Sequence, residues 1–190
     1  MPLSGRINSG GSPPPPSRLD FFSFSSYFFK KFTPNITVFL NIGSNLGNRR
    51  INLSRAVAAL EKEFGYFELS HSVESKPEGF DSQNEFLNIG MMINTDLDPL
   101  EVLQITQRIE QEISPENHRN PDGSYRDRTI DIDIIAIDDQ VIDTDTLKIP
   151  HPRMAERCFV LEPLAELAPF WTHPLTGLSP AEMLRHLDTP

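Results

Sequence analysis

The sequence has a single cysteine, Cys158, among 190 residues, so an intramolecular disulfide framework is excluded. A lone cysteine is typical of a reducing compartment, and we therefore expect a cytoplasmic protein. Basic residues are also scarce, since 17 lysines and arginines stand against 27 acidic residues for a formal net charge of −10. That balance argues against binding to nucleic acid or to an anionic membrane, because both need a basic surface. No apolar run is long enough to cross a bilayer.

Length and composition predict one globular domain, preceded by an N-terminal segment of different composition. Hydrophobic residues make up 38% of the chain and charged residues 23%, which is ordinary for a globular protein with a sizeable core. Residues 1–34 combine a proline run with an aromatic, serine-rich stretch. We predict a disordered or weakly ordered N-terminal extension over residues 1–34 and a single domain over residues 35–190. A transit segment is an alternative for the extension, since Asp20 is its only acidic residue.

The most informative stretch runs from Arg126 to Ile137 and alternates polar and apolar residues from Thr129 onward. This period of two is typical of a half-buried strand, with Asp131 and Asp133 on one face and isoleucines on the other. Residues i and i+2 of a strand lie about 6.5–7 Å apart, so the two carboxylates can share one or two hard cations. Arg126 and Arg128 add guanidinium groups that suit phosphate oxygens. The alternative for such a pair is a solvated polar face of a strand.

The order of predicted elements indicates the fold class. The elements are a strand at residues 36–42, a helix ending at Gly65, strands at 67–73 and 87–93, a helix with Pro99 first, and the Asp-x-Asp strand. Asp98 and Glu101 have the spacing of a capping box at the second helix. This order is the split βαβ pattern of an α+β, ferredoxin-like antiparallel sheet with helices packed on one face. Met154–Leu167 is predicted to be helical with a break at Pro163.

Several segments, in order, resemble the 6-hydroxymethyl-7,8-dihydropterin pyrophosphokinases of folate biosynthesis. The segments lie at residues 40–47, 85–88, 106–110, 128–134, 150–154 and 157–164. They include Asn-Ile-Gly-Ser-Asn, Arg-Thr-Ile-Asp-Ile-Asp-Ile and Pro-His-Pro-Arg-Met. The resemblance covers roughly residues 36 to 188 and leaves out the N-terminal extension. In some organisms, enzymes of this family are fused to dihydropteroate synthase or dihydroneopterin aldolase, which would need far more chain than is present. We therefore expect a monofunctional protein. We also expect a monomer.

The resemblance implies an enzyme that transfers the β,γ-pyrophosphoryl group of ATP to the hydroxymethyl oxygen of the pterin and releases AMP. It implies two Mg²⁺ ions, held by Asp131 and Asp133, with ATP as co-substrate. Arg128, His151 and Arg157 are implied to contact phosphates, with Arg157 stabilising developing charge. The residues implied in nucleotide binding are Gln107, Glu110, Arg119, Tyr125, Arg126, Ile134 and Lys148.

For the pterin, the resemblance implies that the rings of Phe86 and Phe159 stack on its two faces. Asn88 would hydrogen-bond its polar edge, since an amide carries both a donor and an acceptor. The other residues implied in pterin binding are Gly43, Ser44, Asn45, Ser75, Lys76 and Glu78. The chain departs from the family at Tyr125, where relatives often carry tryptophan, and at Lys76, where many carry proline. The loop before the Asp-x-Asp strand has few basic residues.

Two other functions are compatible with the residues alone. A metal-dependent nucleotidyl- or glycosyltransferase also uses an Asp-x-Asp pair, but it gives no reason for two aromatic residues and an asparagine at the pterin positions. A ferredoxin-like regulatory or ligand-binding module needs no metal and no carboxylate pair, because that fold serves many purposes. The nucleotide product and the effect of an Asp131→Ala substitution distinguish these functions.

Overall fold

Four antiparallel strands form the central sheet of the computed structural model, which describes residues 35–116, 123 and 125–187. The strands are β1 (Ile36–Ser44), β2 (Phe67–Ser75), β3 (Phe86–Thr95) and β4 (Asp131–Ile137). Their order in the sheet is β2-β3-β1-β4, with β1 antiparallel to both of its neighbours. This order confirms the predicted ferredoxin-like α+β sheet. The predicted extension at residues 1–34 lies outside the described residues.

Helices cover both faces of this sheet. They are α1 (Arg49–Phe64), α2 (Pro99–Ile113), α3 (Cys158–Leu167) and α4 (Pro180–Leu187). The two-residue strands β5 (Ile142–Asp143) and β6 (Lys148–Ile149) pair after β4. None of the helices in the described ranges combines the length and the apolar character that a membrane span needs.

Helices α1 and α2 pack on one face of the sheet, as the apolar spacing predicts. The strand residues of this core include Val38, Leu40, Ile42, Met91, Ile93, Ile132 and Ile134, and the helix residues include Leu53, Leu60, Val102 and Ile109. Burial of each such side chain contributes about 1.5–3 kcal/mol. The predicted capping box is present at α2, where Asp98 accepts from Leu100 N and Glu101 N, and Glu101 accepts from Asp98 N at 3.0 Å.

The other face carries α3 and α4, so the expectation of helices on one face holds only for α1 and α2. Pro163 of α3 packs directly against the sheet, because a Cβ at Gly90 would lie 2.6 Å from Pro163 Cβ. The predicted break at Pro163 is wrong, since α3 runs unbroken from Cys158 to Leu167 and buries that ring. The break lies at Arg157, between a 3-10 turn (Met154–Glu156) and α3.

A register shift in β4 separates the polar part of the strand from its apolar part. Phe39 pairs with Ala136 whereas Leu40 pairs with Ile134, so Ile135 is the extra residue of a bulge. Before the bulge, alternation leaves Asp131 and Asp133 on the α3 side of the sheet. After it, both Ile135 and Ala136 join the core under α3. The bulge therefore ends the carboxylate face and begins an apolar one within a single strand.

Candidate active site

A cleft opens on the α3 side of the sheet, where β1 ends and β3 and β4 begin. Its cavity volume is about 270 Å³. The walls come from these strands, the loop after β2, the segment before β4 and the residues around the start of α3. The predicted site residues that line the cleft are Ser75, Lys76, Glu78, Phe86, Asn88, Tyr125, Arg128, Asp131, Asp133, His151, Arg157 and Phe159.

Asp131 and Asp133 line the cleft from β4, and an arginine lies beside each of them. Arg128 Nη1 donates to Asp131 Oδ1 at 2.7 Å, and Arg157 Nη1 lies 3.7 Å from Asp133 Oδ2. Burial, followed by the charge of Asp131, raises the pKa of Asp133 to about 7 against the opposing charge of Arg157. A cation between the two carboxylates would favour the ionised form of both.

The donor set of this pair fits a hard divalent cation. Ionised carboxylates offer only oxygen acceptors, and Mg²⁺ in nucleotide enzymes is held by one or two carboxylates together with water and substrate phosphates. Among the described residues, no cluster of three or more acidic, histidine or cysteine side chains forms a metal-binding group. A cation bound by this pair would take its remaining ligands from water and a polyphosphate.

An ion-pair cluster of two arginines and a glutamate lies beside the carboxylates. Glu78 Oε2 accepts from Arg153 Nη2 at 3.1 Å and from Arg157 Nε at 3.2 Å. The side chain of Arg157 is 14% exposed, so its charge is only weakly screened by solvent. The Glu78 carboxylate thus accepts hydrogen bonds from two guanidinium groups that could otherwise bind phosphate oxygens.

His151 is anchored to β4 and is neutral near pH 7. The backbone N–H of His151 donates to Ile135 O at 2.8 Å, and the ring Nδ1 accepts from the backbone N–H of Arg153 at 3.2 Å. Burial, followed by the positive charges of Arg157 and Arg153, lowers the pKa of His151 to about 4. Because Nδ1 accepts, the ring proton resides on Nε2, which can donate to a phosphate oxygen.

The two predicted stacking rings each lie beside an arginine. Arg128 Cζ lies 5.8 Å from the centre of the Phe86 ring and 5.2 Å from that of Tyr125. Arg157 Cζ lies 5.6 Å from the centre of the Phe159 ring. Arg157 and Phe159 come from one short segment, since Arg157 is the N-cap of α3 and Phe159 its second residue. These cation–π contacts orient each guanidinium group next to a flat apolar surface.

Asn88 is buried in β3 with its amide nitrogen satisfied. Asn88 Nδ2 donates to Ser75 Oγ at 3.0 Å and to Val73 O at 3.3 Å. A Cβ at Gly43 would lie 2.9 Å from Asn88 Oδ1 and 3.3 Å from a carbon of the Phe86 ring. Gly43 is therefore the residue on β1 that lets both side chains approach the strand. Asn88 Oδ1 can accept a hydrogen bond from a ligand in the cleft.

The remaining predicted residues do not line the cleft. Ser44 and Asn45 are buried at the end of β1, and Ile134 is part of the core between the sheet and α1 and α2. Gln107 is exposed on α2, while Glu110 is half-buried and contributes to the raised pKa of Asp133. Arg126 is exposed, and Lys148 pairs with Asp143. Arg119 lies outside the described residues.

Three further residues line the cleft without having been predicted, namely Asn41, Phe80 and Arg153. Arg153 stands two residues after His151 in the Pro-His-Pro-Arg-Met segment, so its proximity could have been inferred. Asn41 could have been inferred as well, because a polar amide side chain is unusual in the middle of an apolar strand. Among the described residues, its Oδ1 is buried without a hydrogen-bond partner. Phe80 is a loop residue for which the sequence offers no such signal.

Known proteins with similar sequences agree on one family. Residues 39–169, more than half of the chain, match the family model described as 7,8-dihydro-6-hydroxymethylpterin-pyrophosphokinase. The chain is 39% identical over 135 residues to the 2-amino-4-hydroxy-6-hydroxymethyldihydropteridine pyrophosphokinase of Bacillus subtilis, covering 70% of this chain and 78% of the relative. It is 41% identical over 139 residues to the protein of the same name from Porphyromonas gingivalis, covering 72% of this chain and 93% of the relative.

A solved structure supports the fold alone. The wild-type HPPK-DHPS of Plasmodium falciparum, crystallised with SDX-DHP, superposes with a TM-score of 0.63 at 14% sequence identity. The match covers 80% of this chain and 44% of that one, so this chain spans less than half of its length.

Proposed function

The chain belongs to the 7,8-dihydro-6-hydroxymethylpterin-pyrophosphokinase family, and from this membership we propose a role for each wall of the cleft. The protein is a transferase that moves pyrophosphate from ATP to 6-hydroxymethyl-7,8-dihydropterin, giving AMP and the pterin pyrophosphate, in folate biosynthesis. The observation that carries the assignment of roles is the carboxylate pair of β4, which shares one cleft with Arg128, Arg157, Phe86 and Phe159.

Asp131 and Asp133 hold Mg²⁺ in this proposal, with two ions bound together with the triphosphate. When bound, Mg²⁺ neutralises polyphosphate oxygens and polarises the hydroxyl group that attacks the β-phosphorus. The two carboxylates would fix the position of the Mg²⁺ charge next to β4. The raised pKa of Asp133 supports the assignment, because burial first and the charge of Asp131 next disfavour the ionised carboxylate, and a bound cation would offset both.

Arg128, Arg157 and His151 bind the phosphate oxygens. The two guanidinium groups are mostly buried, at 11% and 14% exposure, so their charges act on a bound phosphate with little screening. Arg157 lies beside both Asp133 and Phe159, which places its charge between the proposed metal and pterin positions. His151 donates through Nε2, because its Nδ1 accepts from Arg153 N and the neutral ring therefore carries its proton on Nε2.

The pterin stacks between Phe86 and Phe159, with its polar edge at Asn88. Offset stacking contributes about 0.5–1.5 kcal/mol per ring beyond area burial. Asn88 Oδ1 accepts from a pterin N–H, since Asn88 Nδ2 is already committed to Ser75 and Val73. The loop around Lys76 borders the same region and adds backbone contacts.

The nucleotide is proposed to be bound by a further set of residues. Tyr125 lines the cleft, Glu110 lies near Asp133, and the other residues of this set come to the proposal from the family resemblance: Gln107, Arg119, Arg126, Ile134 and Lys148. That the enzyme is a cytoplasmic monomer also stays a prediction. The lone cysteine supports a reducing compartment.

The nucleotide product tests the function. We expect the full chain, given ATP, Mg²⁺ and 6-hydroxymethyl-7,8-dihydropterin, to form AMP only when the pterin is present and to release no free pyrophosphate. Asp133→Asn should lower turnover by about a hundredfold or more, because this carboxylate is proposed to hold the Mg²⁺ that would neutralise the polyphosphate. Asp145→Asn is the matched control, since Asp145 is an exposed carboxylate in the turn between β5 and β6. Formation of ADP, or release of pyrophosphate, would contradict the proposal.

A further inference from the structure

Asp127 joins the loop before β3 and the segment before β4, which border the cleft, to the turn after β1, although its own side chain is not part of the wall. Its Oδ1 accepts from Asn45 Nδ2 at 2.6 Å, and its Oδ2 accepts from Asn84 Nδ2 at 2.5 Å. Asn45 belongs to the turn between β1 and α1, Asn84 to the loop between β2 and β3, and Asp127 to the segment before β4. One carboxylate therefore sets the relative positions of these segments.

The amide of Asn45 extends this connection to Arg128. Asn45 Oδ1 accepts from Arg128 N at 2.9 Å, and Asn45 N donates to Arg128 O at 3.3 Å. Asn45 Nδ2 also donates to Asn84 O at 3.2 Å, so both nitrogen and oxygen of the side chain are engaged. Asn45 therefore holds the backbone of Arg128 and is itself held by Asp127. The guanidinium group of Arg128 pairs with Asp131.

The carboxylate form of Asp127 matters for this arrangement. Burial raises its pKa, but hydrogen bonds from Ser82, Asn84 and Asn45 and the charge of Arg126 outweigh burial and hold the pKa below its ordinary value. An ionised carboxylate has two acceptor oxygens and no donor, so it can accept from both amide groups at once. An asparagine at this position could accept with only one of its two terminal atoms.

We propose that Asp127 is a positioning residue that holds the loop of residues 76–85 in register with Arg128. The inference rests on the proposed function, in which that loop borders the pterin and Arg128 contacts phosphate. The carboxylate touches neither substrate in this arrangement. It acts by keeping the pterin side and the phosphate side of the cleft at a constant separation, which the transfer of a group between them requires.

A swap of the two side-chain types tests the proposal. In Asp127→Asn, one amide group faces another, so we expect kcat/KM for the pterin to fall about tenfold, because hydrogen bonds to a charged group are strong. The KM for ATP should change by less than about twofold. In Asn84→Asp, two carboxylates face each other and the loss should be larger. Combining both substitutions restores one acceptor opposite each donor, and activity should return to within about threefold of wild type.

Asp81→Asn is the control, because Asp81 is an exposed carboxylate of the same loop. The proposal is overturned if Asp127→Asn behaves like this control, or if the combined variant is no better than the single ones. Amide hydrogen exchange of residues 76–85 in the full chain gives a second measurement that does not depend on activity. Exchange there should be about tenfold faster in Asp127→Asn than in Asp81→Asn, and equal rates contradict the proposal. An inactive wild type would contradict the proposed function, and exchange would still decide the role of Asp127.

Discussion

Removing the negative charge of Glu78 should strengthen nucleotide binding. Glu78 Oε2 accepts from both Arg153 and Arg157, at 3.1 and 3.2 Å, and in the proposed function Arg157 binds phosphate. An incoming triphosphate must therefore displace the carboxylate from these guanidinium groups or share them with it. Glu78→Gln keeps the shape of the side chain and weakens both ion pairs, so the arginines are released at a lower cost.

The size of the effect follows from the exposure of the three side chains. Arg157 is 14% exposed, Glu78 is 35% exposed and Arg153 is 45% exposed, so solvent screens part of each ion pair. Exposed pairs contribute about 0.2–1 kcal/mol each, and the less exposed pair with Arg157 should lie at the upper end. The two pairs together oppose phosphate binding by about 1–1.5 kcal/mol, which corresponds to a Kd that is lower by about five- to twelvefold in Glu78→Gln.

Titration calorimetry of a non-hydrolysable ATP analogue with Mg²⁺ measures this difference directly. Glu74→Gln is the matched control, because Glu74 lies on β2 and pairs with Arg49 at 2.9 Å outside the cleft. The gain should shrink as ionic strength rises, since it is electrostatic. Binding of the pterin in the presence of the analogue should change by less than about twofold, because the loop is proposed to contact the pterin through its backbone.

Two results would refute the reasoning. Equal affinity of Glu78→Gln and Glu74→Gln for the analogue would mean that the phosphates do not use the guanidinium groups that Glu78 holds. Weaker binding in Glu78→Gln than in wild type would mean that the ion pairs place the arginines for the nucleotide and do not compete with it.

Two further predictions concern the fold around the cleft. Gly90→Ala should lower the unfolding midpoint by roughly 4–8 °C in calorimetry, because a Cβ 2.6 Å from Pro163 Cβ overpacks the interface of β3 with α3 at a cost of about 2 kcal/mol; an unchanged midpoint would contradict this contact. His151 has its pKa lowered from 6.5 to about 4, first by burial, so the unfolded chain takes up a proton before the folded chain does. The contribution of His151 to the free energy of unfolding should therefore be fully present above pH 6.5 and fall towards pH 4 by up to about 3 kcal/mol. It is measured as the difference between wild type and His151→Asn in urea titrations, because the raised pKa of Asp133 acts in the opposite direction over this pH range in both proteins.

The sequence predicts best what depends on neighbours along the chain. The alternation of Asp131 and Asp133 with isoleucines is a local pattern, and the structure places both carboxylates on one face as that pattern requires. The capping box of Asp98 and Glu101 is equally local, since the two residues are three positions apart and serve one helix end. Period, cap and turn residues together were sufficient for the order of elements and the fold class.

Contacts between distant segments were not predictable in this way. Asp127 contacts Asn45 across 82 positions and Asn84 across 43, and no periodicity relates residues in three different loops. The continuity of α3 through Pro163 has the same origin, because the lost helical hydrogen bond is offset by packing of the ring against Gly90 on a strand far away in sequence. Local propensity alone predicts a break there, and tertiary packing overrides it.

The cleft contains two parallel chains of contact, each running from a carboxylate through an arginine to an aromatic ring. The members are Asp131, Arg128 and Phe86 in one chain and Asp133, Arg157 and Phe159 in the other. Each arginine thus touches a proposed metal ligand and a proposed pterin ring at the same time. Replacing Arg157 would free the Phe159 ring and unbalance the charge of Asp133 as well as remove a phosphate contact. Effects measured for single residues of one chain therefore should not add, and the excess in a double-mutant cycle between Arg157 and Phe159 measures how strongly the phosphate and pterin sides depend on each other.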